Sequence, residues 1–595
     1  MSLLLVVVLL FFSSSCSVSS GQYYVSDYCS SVTQSPCNPL SVYAGDMSQY
    51  NNTIFYFIGT TTINDNVTMT AVKNVTLHGL DQSPSINCKK FINNTAVYIY
   101  YSDHVTISNI SFSSCTVEID SSNNVTITNS VFASDPDLFY YLVTSNAFDL
   151  KISSSVFSNF VEDYTLYIYY LPLPVCSDEL LHYSLMLTNV TFTTGSGMEL
   201  YMTHGTTYNV SIIFDQVEVE YCKSLLFQVE GLFYLLIINS SFHNNVYALF
   251  IQFSGISESS HCTYPGIQVS STFVIESCQF YHNPFGLNIL SVYFIALDYH
   301  IIIKSCLMYD NIFQGLSIDG TFLRLTQIDI IDTELIGNRV GNKIMNSNAI
   351  SLSNVTVANS TYTGLTLEKS SVTVKNTLIF KNNVGVVGGG LAINDSSRLI
   401  VSSSANLEFI DNHASYKGGG IYSEESSHYN FILLKAPNVS LTLINNTAGL
   451  VGGDLYGVYV HDAKNDQFHL TNPNISSTSD AVEICFCDPH TTTSYENCLH
   501  HVSVQCIFPG QALKFNVALF GYNFFKSLTP TDGTVEILNK TKFLLNQTYI
   551  PNSCSLIEYK PKLTQTGYKS ELDITSSKTN KVIFNFIVKE CPIGF

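Results

Sequence analysis

The sequence predicts an all-β protein: a right-handed parallel β-helix, or solenoid, followed by a small β-sandwich-like domain. Three observations predict it. A β-rich run closed by an aromatic or aliphatic residue recurs through the central chain at spacings of 20 to 30 residues. No stretch with helical periodicity separates these runs, and β-branched and aromatic residues dominate the apolar set among plentiful Gly, Asn, Ser and Thr. After residue 470 the period stops, and short strands follow every 8 to 15 residues behind a cysteine cluster.

The repeat can be followed rung by rung. Val105-Thr106-Ile107 leads to Phe112, Val125-Thr126-Ile127 to Phe132, Leu150-Lys151-Ile152 to Phe157 and Leu185-Met186-Leu187 to Phe192. Later runs are Leu235 to Phe242, Phe273 to Phe280, Ile301 to Met308, Val372 to Phe380 and Leu399 to Phe409. Closing residues stand 20 (Phe112 to Phe132), 25 (Phe132 to Phe157), 28 (Phe280 to Met308) and 29 (Phe380 to Phe409) apart. Asn precedes the closing residue by three at Asn109, Asn129, Asn189 and Asn239. A turn this short has no core of its own, so stacked turns must bury one apolar column, with polar Asn and Ser at the corners. The organisation expected is a signal peptide at 1–21, an N-terminal cap at 22–59, the β-helix at 60–470, a Cys-containing linker at 471–510, and a β-sandwich-like domain at 511–590. The helix and the sandwich should form separate folding units.

The N-terminus carries an apolar run, Leu3 to Phe12, then a Ser-rich stretch with Ser19 and Gly21 placed for cleavage before Gln22. Ten residues are too few to span a bilayer as a helix, and the run fits a secretory signal core, although no basic residue precedes it. No later segment reaches eighteen apolar residues, so no membrane insertion within the chain is expected. Seventeen N-x-Ser/Thr sequons read as secretory passage: Asn51, Asn66, Asn74, Asn93, Asn109, Asn124, Asn189, Asn209, Asn239, Asn354, Asn359, Asn394, Asn438, Asn445, Asn474, Asn539 and Asn546. An oxidising compartment makes disulfides the default for the cysteines. Beyond Cys16 there are fifteen, an odd number.

Net charge is −20, and the chain has three arginines, Arg324, Arg339 and Arg398. Nucleic acid is excluded as a partner, because no basic cluster replaces the counterions of a phosphate backbone. Sulfated glycans and anionic lipid surfaces are disfavoured for the same reason.

Residues 380 to 456 carry a sharper variant of the repeat. Phe380-Lys-Asn-Asn383 precedes Gly388-Gly389-Gly390, Phe409-Ile-Asp-Asn412 precedes Gly418-Gly419-Gly420, and Leu443-Ile-Asn-Asn446 precedes Gly452-Gly453-Asp454. The reading is a corner Asn that bonds the next Asn along the stack, and a Gly pair that permits positive φ in a tight turn. This variant resembles the polymorphic outer membrane protein repeat, F-x-x-N followed by G-G-A-I, with Gly or Asp here in place of Ala. Those relatives insert through a C-terminal membrane barrel, for which no pattern is read in this sequence, so the membrane role is not expected to carry over. Residues 23 to 115 are similar to the opening of animal pectate-lyase-like β-helix surface proteins, through Tyr23-Tyr-Val-Ser26, Asn74-Val-Thr-Leu77 with Gly79, Cys88, and Val105-Thr-Ile107 with Cys115. The resemblances imply the fold, which hosts lyases, hydrolases, adhesins and inert stalks alike. Cys591-Pro-Ile-Gly-Phe595 is similar to the start of an epidermal-growth-factor-like module.

Four groups of residues are candidates for chemistry. Cys485, Cys487, Cys498 and Cys506 could hold zinc, but their spacing lacks paired C-x2-C knuckles, so disulfides are the expectation. Cys29 and Cys37 should close a short cap loop. Cys88 with Cys115, and Cys278 with Cys306, lie 27 and 28 residues apart, about one rung. Stacking should place at least one pair in a bond or in direct contact, the rival being buried free thiols. Arg324, Asp329 and Asp332 form the best acidic and basic group for a lyase or hydrolase. Leu323, Leu325, Ile328 and Ile330 should point inward and leave Arg324 and Asp329 outward on a solvated face. Asp135-Pro136-Asp137 reads as a loop turn. Tyr98, Tyr100, Tyr101, Tyr167, Tyr169 and Tyr170 could be sugar-stacking platforms, with aromatic stacks inside the column as the simpler reading. No cofactor is expected. The function expected is non-enzymatic extracellular recognition, adhesion or display toward a protein or a glycan. The alternative is a carbohydrate-active enzyme of the pectate-lyase-like class, which would need converging acidic residues in a groove free of glycans.

Overall fold

The computed structural model describes residues 21–44, 47–81, 84–88, 96–133, 142–158, 166–170, 181–202, 208–229, 232–253, 271–291, 299–320, 327–424, 433–434, 439–458, 468–472, 474–491, 493–539, 542–561, 566–567, 569–576 and 579–590. The expected signal peptide before Gly21, Arg324, Asp135 to Asp137, Asn93, Asn438 and the final pentapeptide lie outside these residues, as do the side chains of Asn209 and Asn546. The protein is all-β: a long parallel β-solenoid followed by small antiparallel and mixed sheets. It divides into two compact units, Met1–Cys306 with Phe322–Gln327, and Leu307–Thr321 with Ile328–Phe595.

In the first unit the chain enters through Gly21–Val25, which pairs in parallel with both Cys37–Asn38 and Thr53–Phe57. Tyr23, Tyr43, Tyr50 and Phe55 pack ring on ring over this end, with centroids 5.3 to 5.8 Å apart. Each rung then contributes three strands. Asp103–Ser108, Ser111–Ser113 and Thr116–Asp120 form one rung, and Asn123–Thr128, Val131–Ala133 and Leu142–Ser145 stack on it in register. Register places Phe112 on Phe132, Phe132 on Phe157 and Phe157 on Phe192. Their rings are near parallel at 5.0, 4.8 and 5.0 Å. All four are buried. Burial of each such side chain stabilises by about 2–3 kcal/mol, before the geometric gain of stacking.

The corners follow from backbone chemistry. Asn109, Asn129, Asn189 and Asn239 all have positive φ, between 48° and 56°. Asn tolerates this left-handed region better than other side chains with a Cβ. The bend turns each N–H toward the next rung, where Asn109 donates to the Thr128 carbonyl and Asn129 to that of Ser153. At Asn129 and Asn239 a Ser one residue later completes the corner. Ser130 donates to the Thr128 carbonyl at 2.9 Å, and its own N–H donates to Ser155 Oγ at 3.2 Å.

In the second unit the sharper repeat uses other means. Asn383, Asn412 and Asn446 form a buried side-chain ladder, each Nδ2 donating to the next Oδ1 at 3.0 Å. Asp454 closes it, accepting from Asn446 Nδ2 at 3.0 Å and from the Ser476 N–H at 2.9 Å. The two glycines divide the labour. Gly388, Gly418 and Gly452 take φ of 60° to 66°. The second glycine is required by close approach: a Cβ on Gly419 would lie 2.2 Å from the Thr447 carbonyl oxygen and 2.3 Å from that of Gly453.

The C-terminal sheets start earlier than the sequence suggests. The pattern of residues 471–510 predicts a linker, but Glu483–Phe486 pairs antiparallel with Leu513–Tyr522, and Gln505–Ile507 pairs parallel with Val582–Val588. These strands belong to two sheets that share one core, including Ile484, Phe486, Leu513, Phe515, Ile537 and Phe584. Nor do the sheets stand apart from the last rungs as a separate compact unit. Thr531 Oγ1 donates to the Ser479 carbonyl at 2.7 Å, and the N–H groups of Tyr522 and Phe524 donate to Ser479 Oγ and Ser477 Oγ at 2.8 and 2.9 Å.

Candidate functional site

Strands Thr116–Asp120 and Leu166–Tyr170 alternate buried and half-buried residues throughout, and Ala96–Tyr100 does so from Val97 onward. Val97, Ile99, Val117, Ile119, Leu166 and Ile168 are buried in the first unit's column, at most 2% exposed. The intervening residues therefore face outward. Tyr98, Tyr100, Tyr167 and Tyr169 are half-buried on that outer face. This corrects the expectation that the tyrosine clusters fill the column. Of those six, Tyr170 alone is buried, and Tyr101 projects at a corner with 66% exposure. Aliphatic side chains hold the inward sites because they stack without a hydroxyl to satisfy.

Register gathers the outward residues into two neighbouring columns. In one, Tyr98 stands against Glu118, and Tyr167 against Glu199. In the other, Tyr100 stands against Asp120, Tyr169 against Tyr201, and Tyr201 against Gln228. Tyr98 and Tyr100 tilt together at 5.3 Å, and Tyr167 and Tyr169 at 5.5 Å. The Tyr100 hydroxyl donates to Glu118 Oε1 at 3.2 Å. Burial, then the Glu118 charge, push the Tyr98 and Tyr100 hydroxyls above the ordinary phenol value. Burial also holds the Glu199 carboxyl above the usual carboxylate range, offset in part by Lys223. The face thus offers aromatic planes interleaved with hydrogen-bonding carboxylates and amides.

The acidic candidates are placed differently from the sequence reading. Asp329 is not on a solvated surface. It is 7% exposed, accepts a hydrogen bond from Ser351 Oγ, and faces Lys375 Nζ at 3.1 Å. Ile328 and Ile330 point inward as expected, but the neighbouring rungs' Ser351 and Lys375 cover the outward carboxylate. Asp332 is exposed at a positive-φ corner and accepts from Asn354 Nδ2 at 2.8 Å. Each carboxylate is engaged with partners of its own.

The cysteines fall into bonded and free sets. Cys29–Cys37, Cys88–Cys115, Cys485–Cys498 and Cys487–Cys554 are disulfides, with Cα separations of 5.5, 5.1, 5.5 and 5.9 Å. The Cys88–Cys115 bond between successive rungs is as expected, and one assignment needs correction. Cys506 is free and exposed, because Cys554 rather than Cys506 meets Cys487. Cys278 and Cys306 are unbonded, buried thiols in contact, each donating to carbonyls of its own or the preceding rung. Contact with the Cys306 thiol, together with burial, pushes Cys278 well up. Disulfides point to an oxidising environment. No helix among the described residues is long and apolar enough to cross a membrane, and among them no group of three or more His, Cys, Asp or Glu side chains is placed to hold a metal ion.

The sequons have a structural logic of their own. Asn74, Asn109, Asn124, Asn189, Asn239, Asn354, Asn359 and Asn445 all occupy positive-φ positions, and none is buried. A corner that favours Asn, followed two residues later by an outward Ser or Thr on a strand, writes a sequon. The described side chains of Asn51, Asn66, Asn394, Asn474 and Asn539 are likewise at least partly exposed.

No known family description matches the chain, and no curated protein matches it in sequence. It is similar in structure to β-helix carbohydrate enzymes and phage tailspikes. The catalytic domain of a GH87 alpha-1,3-glucanase in complex with nigerose aligns at 13% identity over 73% of this chain and 66% of that one, with a TM-score of 0.23. The Azotobacter vinelandii mannuronan C-5 epimerase AlgE4 A-module aligns at 12% identity over 77% and 100%, with a TM-score of 0.23. The Siphovirus 9NA tailspike receptor binding domain aligns at 10% identity over 94% and 100%, with a TM-score of 0.27. The likeness is one of fold alone, and less than two thirds of the glucanase domain is spanned.

Proposed function

We propose that the protein is a secreted glycoprotein of the extracellular space that recognises glycan chains without cleaving them, through the tyrosine face of its first unit. One observation carries this reading: Tyr98, Tyr100, Tyr167 and Tyr169 turn outward while their aliphatic neighbours fill the column. Sugar rings present C–H faces that stack on aromatic planes, and hydroxyls that donate to carboxylates such as Glu118 and Asp120. Those carboxylates repel acidic sugars, so the glycan is uncharged.

A second reading, a carbohydrate-active enzyme, draws on Glu118 and Asp120 projecting as alternate residues from one strand of that face. Glycosidases use such carboxyl pairs. Titration of the secreted chain with neutral oligosaccharides, followed by chromatography of the sugar, tests both readings. Saturable binding to unshortened chains, weakened roughly tenfold by Tyr167→Ala with Tyr169→Ala, is the expected result. Shortened products abolished by Glu118→Gln establish the enzyme instead. Absence of binding overturns both readings.

A further inference from the structure

A different part of the molecule carries a separate inference. In the second unit Lys417 ends strand His413–Lys417, and its ammonium is turned inward between two rings, 4.4 Å from the Tyr456 centroid and 5.3 Å from that of Tyr416. The nitrogen lies 3.1 Å from Asp532 Oδ1, with the side chains 12% and 1% exposed. The Tyr416 hydroxyl faces the same Asp532 carboxylate. The ammonium and the carboxylate are therefore in direct contact as a buried ion pair, with the amine also bonded to the Tyr456 hydroxyl. Lys417 Nζ donates to the Tyr456 hydroxyl at 2.8 Å, and that hydroxyl donates to the Asp480 carboxylate. A nucleophile, an electrophile and a proton relay thus meet in a water-poor, aromatic-walled site.

We propose that Lys417 and Asp532 are a modification site, at which an intramolecular amide bond joins the last rungs of the second unit to its C-terminal sheets. In the first step a proton passes across the 3.1 Å contact from the ammonium to the carboxylate, giving a neutral amine and a carboxylic acid. The amine lone pair attacks Asp532 Cγ, forming the Nζ–Cγ bond. A second amine proton moves through the Tyr456 hydroxyl toward Asp480 and returns to the departing hydroxyl. The Cγ–O bond breaks and one water leaves. Ammonium and carboxylate go in, amide and water come out, with no change of oxidation state and no co-reactant. The group around the pair matches this chemistry: the buried Tyr456 ring shields the pair from the water that would reverse the reaction, and Asp480 supplies the base.

The test is peptide mapping of the secreted, folded full chain after N-glycan removal, denaturation and reduction. Trypsin cleaves after a free Lys417 but not after an amidated one. The expected product is residues 399–435 joined to residues 527–540, lighter than the two peptides by one water. Asp532→Asn is expected to give the same junction with loss of ammonia in place of water. Full recovery from the wild-type chain of a peptide ending at Lys417, and of unlinked 527–540, overturns the proposal. That readout does not depend on any variant folding.

Discussion

The early rungs around residues 103–192 and the late rungs around residues 380–456 solve the same corner problem differently. In the early rungs a single Asn or Ser at positive φ turns the chain, and a Ser hydroxyl bonds the adjacent backbone. Each corner serves itself and one neighbour. In the late rungs the turn is cut too close for any side chain at Gly419, and polar satisfaction runs along a shared buried ladder of Asn383, Asn412 and Asn446. The difference is one of redundancy. A local device tolerates loss, whereas a ladder transmits it, because each amide is both donor and acceptor for its neighbours.

That contrast is open to direct attack. The largest effect should come from Gly419→Val. Its Cβ would sit 2.2 Å from a backbone oxygen, and backbone cannot rotate away as a side chain can. A loss of at least about 4 kcal/mol is expected, with the late rungs failing to assemble. Asn129→Gly at an early corner should cost no more than about 1 kcal/mol, since Gly accepts the same φ. Hydrogen exchange of the two regions would register the contrast. Equal, small losses at both sites would erase it.

Asn412→Leu comes next. It strands the backbone and side-chain N–H groups of Asn383, which donate to Asn412 Oδ1 at 3.1 and 3.0 Å. It also frees the Phe380 carbonyl and leaves Asn446 Oδ1 with the backbone N–H of residue 412 alone. Several unsatisfied buried groups together should cost about 3 kcal/mol or more. Ser122→Ala, in the early rungs, removes one acceptor from the Ser102 N–H at 3.1 Å and should cost about 1 kcal/mol. Urea midpoints of the two variants should differ in that order, and protection lost in Asn412→Leu should extend to rungs beyond its own.

Much of this was legible beforehand. The Phe column and the Asn corners could be read because each rung repeats them at a fixed place in the period. The Asn383 and Asn412 ladder was legible for the same reason. The orientation of the tyrosines was not, although Tyr98-Ile99-Tyr100 and Tyr167-Ile168-Tyr169 carry a period-two signal that puts the aliphatic residue inside. The Cys487–Cys554 bond, 67 residues long, and the meeting of Lys417 with Asp532 left no local trace, because contacts of that range depend on how the C-terminal sheets fold back. The strands at Glu483–Phe486 and Gln505–Ile507 were hidden because four of their seven side chains are cysteine or polar.

The smallest effect returns to the proposed binding face and concerns pH. Glu199 carries a carboxyl that burial raises above its ordinary value, with Lys223 pulling the other way. A carboxyl raised in the folded state binds its proton more tightly there than in the unfolded chain. It therefore contributes stability that is fully present below the unfolded value and is lost as pH rises through the folded one. Glu199→Gln keeps the shape and removes the titration. Relative to wild type, the variant should gain stability as pH rises from the acid range toward neutral, by less than the Ser122→Ala difference because the side chain is only half-buried. Thermal midpoints of both chains across that range give the answer. Midpoints that run parallel with pH, or a variant that loses ground on the way up, would show that Glu199 is solvated or fully paired with Lys223. The tyrosine face would then present a charged carboxylate throughout.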